Sequence, residues 1–152
     1  MDLIQRLKER IRQAPSTDLN CVPPIVPRHA ATLDDIKRAE LSLGFKIPSL
    51  LRSLYVDVAD GGYGPGYGIQ PLHEIVEWHQ ICRVNWEGIY PPPSWPPSLI
   101  RFCEWGCNFW SGVDCSSERC VVFRFNPDEP TREIADMLEP ECDSLSEWLT
   151  SW

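Results

Sequence analysis

Residues 99–126 read LIRFCEWGCNFWSGVDCSSERCVVFRFN. This stretch contains three apolar runs, LIRFCEW, CNFWSGV and CVVFRFN, whose hydrophobic period is two. A period of two is typical of a β-strand that buries one of its faces. Gly106 and residues 114–119 separate the runs and have the composition of turns. The stretch therefore predicts three successive strands of an antiparallel sheet.

The chain before these strands has the 3.6-residue period of helices instead. One helix is predicted over residues 1–14, and a second begins at Thr32, the first residue of a capping box. A third helix ends at the DGG sequence of residues 60–62, and a fourth begins near His73. Another capping box, which starts at Ser144, predicts a short C-terminal helix.

This order of elements indicates an α+β fold, with N-terminal helices followed by an antiparallel sheet and a short C-terminal helix. The chain has 152 residues, which is enough for one domain with a sizeable core. We therefore expect residues 1–152 to form a single domain.

Residues 60–68, DGGYGPGYG, form a glycine-rich loop that raises the question of phosphate binding. The two common phosphate motifs need GxGxxG, or a glycine followed by Lys and Ser or Thr, and neither is present. The loop also follows a predicted helix, whereas dinucleotide-binding loops follow a strand. We predict that Gly61 or Gly62 ends the third helix at positive φ, and that the other glycines let the loop turn.

The charge of the chain limits the classes of partner. The formal net charge is −8 at pH 7. An acidic surface repels phosphate groups, so we expect neither nucleic acid nor an anionic membrane as a partner. A basic protein is the better candidate, because complementary charge accelerates encounter.

Targeting and redox features point to the cytoplasm. The N-terminal sequence MDLIQRLKERIRQAP lacks the apolar core of a signal peptide, and no stretch approaches 18 apolar residues. The chain has seven cysteines, an odd number that does not suit a disulfide framework. We therefore expect reduced thiols and a cytoplasmic location.

Four cysteines lie close enough in sequence to suggest zinc: Cys103, Cys107, Cys115 and Cys120. Structural zinc sites place paired thiols on tight turns, and Cys103 and Cys107 flank such a turn. The alternative is that the cysteines are small buried residues of an apolar core. We favour that alternative and predict no metal and no cofactor.

No sequence motif nominates a catalytic residue. The HEIVEWH sequence of residues 73–79 has Glu77 where a zinc protease would have its second histidine. Ser111 lies outside any GxSxG sequence. We therefore predict that the protein is not an enzyme.

Several segments resemble one protein family in their order and spacing. Residues 31–62, ATLDDIKRAELSLGFKIPSLLRSLYVDVADGG, contain the Ala-Glu and Leu-Gly pairs of a helix, an Ile-Pro link and a Gly-Gly stop. EWGCNFWSGVDC, VVFRFNPD and SLSEWL follow later in the chain. Together they resemble the Smi/Knr branch of the SUKH superfamily, from about Ala30 to the C-terminus. Residues 1–14 lie outside the resemblance as an added helix.

The resemblance implies a non-enzymatic α+β domain that acts by binding other proteins. Bacterial members are often immunity proteins that neutralise polymorphic toxins, which are frequently nucleases. Fungal relatives act as regulators in signalling and cell-wall assembly. The resemblance thus implies an immunity protein, with a regulatory scaffold in cell-wall or stress signalling as the alternative.

The segment between Asp128 and Asp143 contains seven acidic residues and one basic residue, Arg132, so it contributes −6 of the net charge of −8. Such a run is either a solvated loop or a docking surface that steers a basic partner. Given the resemblance, we predict a docking surface for a basic toxin domain. The candidate residues are Asp128, Glu129, Glu133 and Asp136.

Exposed aromatic residues are the expected anchors of such an interface, because they supply most of the binding energy in protein complexes. Four aromatic residues lie in predicted loops rather than on periodic apolar faces: Tyr63, Tyr67, Tyr90 and Trp95. We predict that these four residues contact the partner.

Overall fold

The computed structural model of the protein describes residues 2–14, 25–85, 95–128 and 134–152. The helices are α1 (Leu3–Gln13), α2 (Leu33–Leu43), α3 (Ser49–Ser53), α4 (Leu72–Asn85) and α5 (Leu145–Ser151). The strands are β1 (Gly68–Ile69), β2 (Leu99–Gly106), β3 (Phe109–Asp114), β4 (Val122–Phe125) and β5 (Leu138–Cys142). A 3-10 turn over Ile134–Met137 leads into β5. The predicted α+β architecture is confirmed.

The five strands form one antiparallel sheet in the order β1-β2-β3-β4-β5. The three strands predicted from the hydrophobic period are its centre, and β1 and β5 are its edges. Pairing places Glu104, Trp110, Phe125 and Leu138 in one row across the sheet. Because side chains alternate between the faces of a strand, this row lies on one face, which we call the second face.

The first face of the sheet carries the main hydrophobic core. Ile100, Phe102, Val113 and Val122 lie on this face and pack with apolar residues of all five helices. Leu7 of α1 is among the buried residues, with only 2% of its surface exposed. The N-terminal helix is therefore an integral part of the core.

A smaller apolar cluster covers part of the second face. Trp110 stacks on Phe125 with their ring centres 4.6 Å apart, and Trp95 lies against Trp110 at 5.6 Å. Gly112 lacks the Cβ that would lie 2.8 Å from the Trp110 ring. The glycine thereby lets the indole lie close to the backbone of its own strand.

The α2–α3 corner is held by a buried carboxylate. Glu40 is 8% exposed, and its carboxylate accepts hydrogen bonds from the Ile47 N–H at 2.9 Å and from the Lys46 ammonium at 2.8 Å. Burial acts to raise the pKa of Glu40, but these two hydrogen bonds and the positive charges of Lys46 and Arg52 together outweigh it, and the pKa is lowered from its ordinary value of 4.5. Glu40 therefore ties the end of α2 to the chain that enters α3.

Both ends of α2 have the structure that the sequence predicts. The Thr32 hydroxyl accepts from the Asp35 N–H, and the Asp35 carboxylate accepts in return from the Thr32 N–H, as a capping box requires. Gly44 ends the helix in the left-handed conformation at φ 84°.

The third helix differs from the expected regular one. After Ser53 it widens into a π turn over Leu54–Val58, closed by the Ala59 N–H on the Leu54 carbonyl at 3.0 Å.

The glycine-rich loop is a closed turn. Gly61 and Gly62 have φ of 72° and 76°, so the predicted positive φ is confirmed at both positions. The Ile69 N–H donates to the Tyr63 carbonyl at 2.6 Å, which closes the loop on itself. The Asp60 carboxylate accepts from the Leu72 N–H at 2.7 Å at the start of α4. The loop thus connects two helices and pairs its last residues, β1, with β2.

Candidate partner-binding surface

The predicted aromatic anchors have different environments. Tyr67 is exposed, with 45% of its surface accessible, as an anchor should be. Tyr63 and Trp95 are 0% and 7% exposed, so the expectation that they are free to contact a partner is wrong. Tyr90 lies outside the residues that the structure describes.

Tyr63 and Trp95 are buried because the loops that carry them fold against the domain. The Tyr63 ring lies 6.2 Å from the Trp152 ring, and burial raises the pKa of its hydroxyl. The Trp95 indole N–H donates to the Leu99 carbonyl at 3.1 Å. A loop position in the sequence therefore did not imply an exposed side chain.

The structure adds one exposed aromatic residue that the sequence did not nominate. Trp78 of α4 is 37% exposed, and the Arg101 guanidinium lies 4.2 Å from the centre of its ring. Arg101 also forms an ion pair with Glu104 on the same strand. Trp78 is thus held by a cation–π contact while part of its indole faces solvent.

Tyr67 lies beside the same strand. Its N–H donates to the Glu104 carbonyl at 2.9 Å. Its ring packs over Gly106, where a Cβ would lie 2.7 Å from the nearest ring carbon. Tyr67, Trp78, Arg101 and Glu104 form a group along β2 that we call the aromatic rim. The rim combines Trp, Tyr and Arg, the residues that dominate binding energies at interfaces.

The acidic segment contains regular structure that the sequence did not predict. Its 3-10 turn leads into β5, whose Leu138 pairs with Phe125 of β4. Asp128, Asp136 and Glu139 are exposed. Glu129 and Glu133 lie outside the described residues. The docking role of Asp128, Glu129, Glu133 and Asp136 stays a prediction.

Glu141 of the acidic segment is used inside the protein. One of its carboxylate oxygens accepts from the Ser111 hydroxyl at 2.7 Å, and the other from the Arg124 guanidinium at 2.9 Å. Ser111 is fully buried and accepts in turn from the Trp105 indole N–H at 2.8 Å. These contacts turn Glu141 toward the first face of the sheet.

Asp143 also has a basic partner outside the acidic segment, because Arg119 lies 3.4 Å from its carboxylate. Together with the Glu141–Arg124 pair, this contact reduces the negative charge that the segment presents to solvent. The outward charge near β5 is therefore smaller than the sequence count of −6 suggests.

This negative charge lies in and next to β5, which is an edge strand of the sheet. Pro140 within it lacks a backbone N–H, which disfavours the addition of another strand at this edge. We call the exposed residues Asp128, Asp136 and Glu139 the acidic edge. Three strand spacings of about 4.8 Å separate the backbone of β5 from that of β2, about 14 Å in all, and Glu139 lies on the face opposite to that of Glu104.

The four clustered cysteines do not converge on one point. Cys103, Cys115 and Cys120 are buried, whereas Cys107 is exposed on the turn between β2 and β3. Burial raises the pKa of Cys103 and Cys115, and it raises that of Cys120 to about 12. Thiols in such surroundings are weak nucleophiles. Within residues 2–14, 25–85, 95–128 and 134–152, no group of three or more His, Cys, Asp or Glu residues has the geometry of a metal site.

The two histidines of α4, His73 and His79, have different environments. His73 and Glu77 are exposed, as their position on one helix face predicts. His79 is 1% exposed, and its Nε2 lies 2.9 Å from the Pro97 carbonyl. The neighbouring Phe45 ring lies 5.6 Å away, and burial lowers the pKa of His79.

The sequence from just before α2 to the end of α5 matches a known family. The model of the SMI1/KNR4 family (SUKH-1) matches residues 30–151. The chain belongs to this family. SUKH-1 membership is consistent with a protein-binding domain of the immunity type, and the family is generally non-enzymatic. The matched region begins after α1, which lies outside it.

Two further findings concern similar proteins and the length of the helices. None of the curated proteins matches the chain. In the described part of the chain, every helix is too short or too polar to cross a bilayer.

Proposed function

We propose that this SUKH-1 domain is an immunity protein that binds a toxin domain and neutralises it by covering its active surface. The observation that carries the proposal is the presence, on one domain, of exposed aromatic residues beside β2 and of exposed acids in and next to the edge strand β5. A protein interface of standard size buries about 800 Å² on each partner, a patch about 30 Å across. One partner that covers the sheet from β2 to the β5 edge could therefore contact both regions, because the backbones of these two strands lie about 14 Å apart.

The two regions would have separate roles in binding. Tyr67 and Trp78 would become desolvated in the complex and hold it together, so their loss should accelerate dissociation. Asp128, Asp136 and Glu139 would act at longer range and attract a basic partner before contact, so their loss should slow association. Because exposed charges are screened beyond about 8 Å at physiological salt, the second effect should weaken as salt is added.

The experiment needs a toxin domain, and the genes adjacent to this one are the place to find it. A candidate toxin is expressed alone, and its activity and its binding to this protein are measured. We expect tight binding and loss of toxin activity at equimolar protein. Binding without loss of activity would contradict neutralisation and favour a regulatory scaffold.

Variants then separate the two regions by stopped-flow kinetics. Trp78→Ala should accelerate dissociation by about 30-fold, the equivalent of a 2 kcal/mol anchor. Leu41→Ala is the matched control, because Leu41 is 84% exposed on α2 and outside the aromatic rim. An equal effect of the two variants would contradict the assignment of the rim.

The acidic residues are tested by a triple neutralisation, Asp128→Asn, Asp136→Asn and Glu139→Gln. It should slow association severalfold at low salt and flatten its salt dependence. The control neutralises three exposed acids elsewhere, Glu9, Asp34 and Asp57, and so changes the net charge equally. If both triple variants slow association to the same extent, net charge and not the acidic edge steers the partner.

A further inference from the structure

A groove of about 490 Å³ lies between α1 and α5. Its floor is apolar and consists of Leu3, Leu7 and Leu149, of which Leu7 and Leu149 are each 2% exposed. Arg6 and Arg10 of α1 line its wall. The residues of the aromatic rim and of the acidic edge are not among those that line the groove, so it is separate from the proposed toxin interface.

Arg6 and Arg10 carry positive charge that no carboxylate of the protein neutralises. Both residues are exposed, and in the described part of the chain neither forms an ion pair. The Arg10 guanidinium lies 4.8 Å from the centre of the Trp152 ring, a contact that positions it and leaves its N–H groups available. Glu9 also lines the groove, but it is one carboxylate beside two guanidinium groups. The groove is therefore electropositive.

The helix α1 is a basic element of an acidic protein. Residues 1–14 contain four basic and two acidic residues, so their net charge is +2 within a chain of −8. The remaining residues therefore carry a net charge of −10. The family model matches residues 30–151, so one side of the groove is a helix that the model does not cover. The groove is thus a feature of this chain that family membership does not predict.

The spacing of the two arginines indicates what would fit the groove. Arg6 and Arg10 are four residues apart on α1, so their Cβ atoms lie about 5–6 Å apart on one face of the helix. Two glutamates four residues apart on a second helix have the same spacing. A guanidinium binds a carboxylate through two parallel hydrogen bonds, so each arginine can hold one glutamate. The leucine floor can accept an apolar side chain from the same helix.

We propose that this groove binds an acidic amphipathic helix of a partner protein, whose carboxylates contact Arg6 and Arg10. A helix that lays its apolar face into a groove is a common mode of peptide recognition. Nucleic acid fits less well, because it is a long polyanion and the rest of the chain, at −10, repels phosphate groups. The proposal does not depend on toxin binding, and it is tested without a toxin.

The direct test titrates the protein into a fluorescein-labelled helical peptide of about 16 residues, in which two glutamates four residues apart lie beside a row of leucines. Fluorescence anisotropy reports binding. We expect a dissociation constant on the order of 100 µM, because exposed ion pairs contribute little each. The matched control peptide has glutamine in place of both glutamates and should bind at least tenfold more weakly. Equal binding of the two peptides, or no binding of the acidic one, would overturn the proposal.

Two double variants of α1 locate the site. Arg6→Gln/Arg10→Gln should weaken binding of the acidic peptide at least tenfold. Lys8→Gln/Arg12→Gln is the matched control, because these residues have the same spacing on the same helix and do not line the groove. It changes the net charge equally and should weaken binding less than threefold. Equal losses in the two variants would show that the charge of α1, and not the groove, attracts the peptide, and would overturn the assignment.

A charge reversal keeps the test decisive if the first variants differ in stability. Arg6→Glu/Arg10→Glu should lose the acidic peptide and bind the same peptide with lysine in place of both glutamates. The parental protein should not bind the lysine peptide. Circular dichroism confirms that the variant is folded. A folded variant that does not bind the lysine peptide would contradict direct contact between the peptide charges and these two positions.

Two further measurements compare other occupants of the groove. Sedimentation velocity of the protein alone should show a monomer at the concentrations used for the peptide. A dimer that Arg6→Gln/Arg10→Gln dissociates would assign the groove to the acidic edge of a second copy and overturn the partner helix. A single-stranded DNA oligonucleotide, labelled in the same way, should bind more weakly than the acidic peptide. Tighter binding of the oligonucleotide would overturn the proposal in favour of nucleic acid.

Discussion

The glycine-rich loop and the acidic segment are both conspicuous in the sequence, but they have opposite environments in the fold. In the loop, backbone packs directly on backbone: Gly61 approaches Ile69 and Pro71, and Gly62 approaches Val26. In the acidic segment, β5 is a sheet edge, and Asp128 and Glu139 face solvent. Composition alone did not distinguish a closed turn from an open edge.

Substitutions in the glycine-rich loop and in the acidic segment should therefore change different properties of the protein. A change in the closed loop must move neighbouring backbone, so it should act on the free energy of unfolding. A change at an exposed charge leaves the packing intact, so it should act on association and leave stability within about 0.5 kcal/mol. Stability measurements along the chain can therefore test this division, beginning with the largest expected effect.

Gly62→Ala should destabilise the fold most. The new Cβ would lie 2.1 Å from the Val26 carbonyl oxygen, at a φ of 76° that alanine adopts poorly. The left-handed conformation alone costs about 1–2 kcal/mol, and displacement of the backbone adds to it. We expect a loss of at least about 3 kcal/mol in the free energy of unfolding, measured by urea denaturation.

Gly44→Ala is the matched control for this experiment. Gly44 has a similar φ of 84°, but no atom lies within 4 Å of the position that an alanine Cβ would take there. Only the conformational part of the effect remains, about 1–2 kcal/mol. If the two variants unfold at the same urea concentration, the close approach to Val26 is unimportant, and the loop is less closed than the structure indicates.

Local patterns in the sequence predicted most of the fold. The capping box at Thr32, the N-cap at Ser144, the helix stop at Gly44 and the three central strands each depend on neighbouring residues. In α5, for example, the Ser144 hydroxyl accepts from the Glu147 N–H at 3.1 Å. Such contacts span three or four residues, so spacing in the sequence is sufficient to find them.

The features that the sequence missed depend on distant partners. β5 exists because Leu138 and Glu139 pair with Phe125 and Arg124, although Pro140 and the acids argue against a strand. Tyr63 is buried by packing against Trp152, at the other end of the chain. Trp78 is held by Arg101, in another element. The same limit explains why exposure was predicted only in part: Tyr67 is exposed, whereas Tyr63 and Trp95 are buried, and the role of Tyr67 in binding stays a prediction.

His79 is a buried residue that should make the stability of the fold depend on pH. Burial lowers its pKa from the ordinary value of 6.5, so the unfolded chain binds a proton more readily than the folded protein. Stability should therefore fall as the pH decreases below about 6.5, with a slope of at most about 1.4 kcal/mol per pH unit. Urea denaturation between pH 7.5 and 5 measures this slope.

His79→Gln is the control for the pH dependence, because glutamine does not titrate and can still donate to the Pro97 carbonyl. It should reduce the slope between pH 7 and 5, whereas His73→Gln, at an exposed position, should not. A slope that both variants leave unchanged would exclude His79 as its source. Glu40 contributes only at lower pH, because its lowered pKa makes its stabilisation disappear below about 4.5.

The smallest expected effects on stability come from two glutamates of β5: Glu141, whose carboxylate is bonded within the protein, and Glu139, which is exposed. Glu141→Gln replaces a carboxylate whose two oxygens accept from Ser111 and Arg124. The variant should lose about 1 kcal/mol, the net value of one such hydrogen bond. In a domain of this size that loss lowers the melting temperature by about 2–4 °C, which thermal unfolding followed by circular dichroism can detect.

Glu139→Gln is the same chemical change two residues earlier on the same strand, and we expect almost no effect on stability. Glu139 is exposed, and its only described relation to a base is its position opposite Arg124 in the sheet register. Exposed cross-strand charge pairs contribute about 0.2–1 kcal/mol, and Arg124 already bonds to Glu141. The melting temperature should therefore stay within about 1 °C of the parent. An equal loss in both variants would mean that the whole strand, not Glu141 alone, depends on its carboxylates for stability, and Glu139 would then be a poor candidate for a residue kept free to meet a partner.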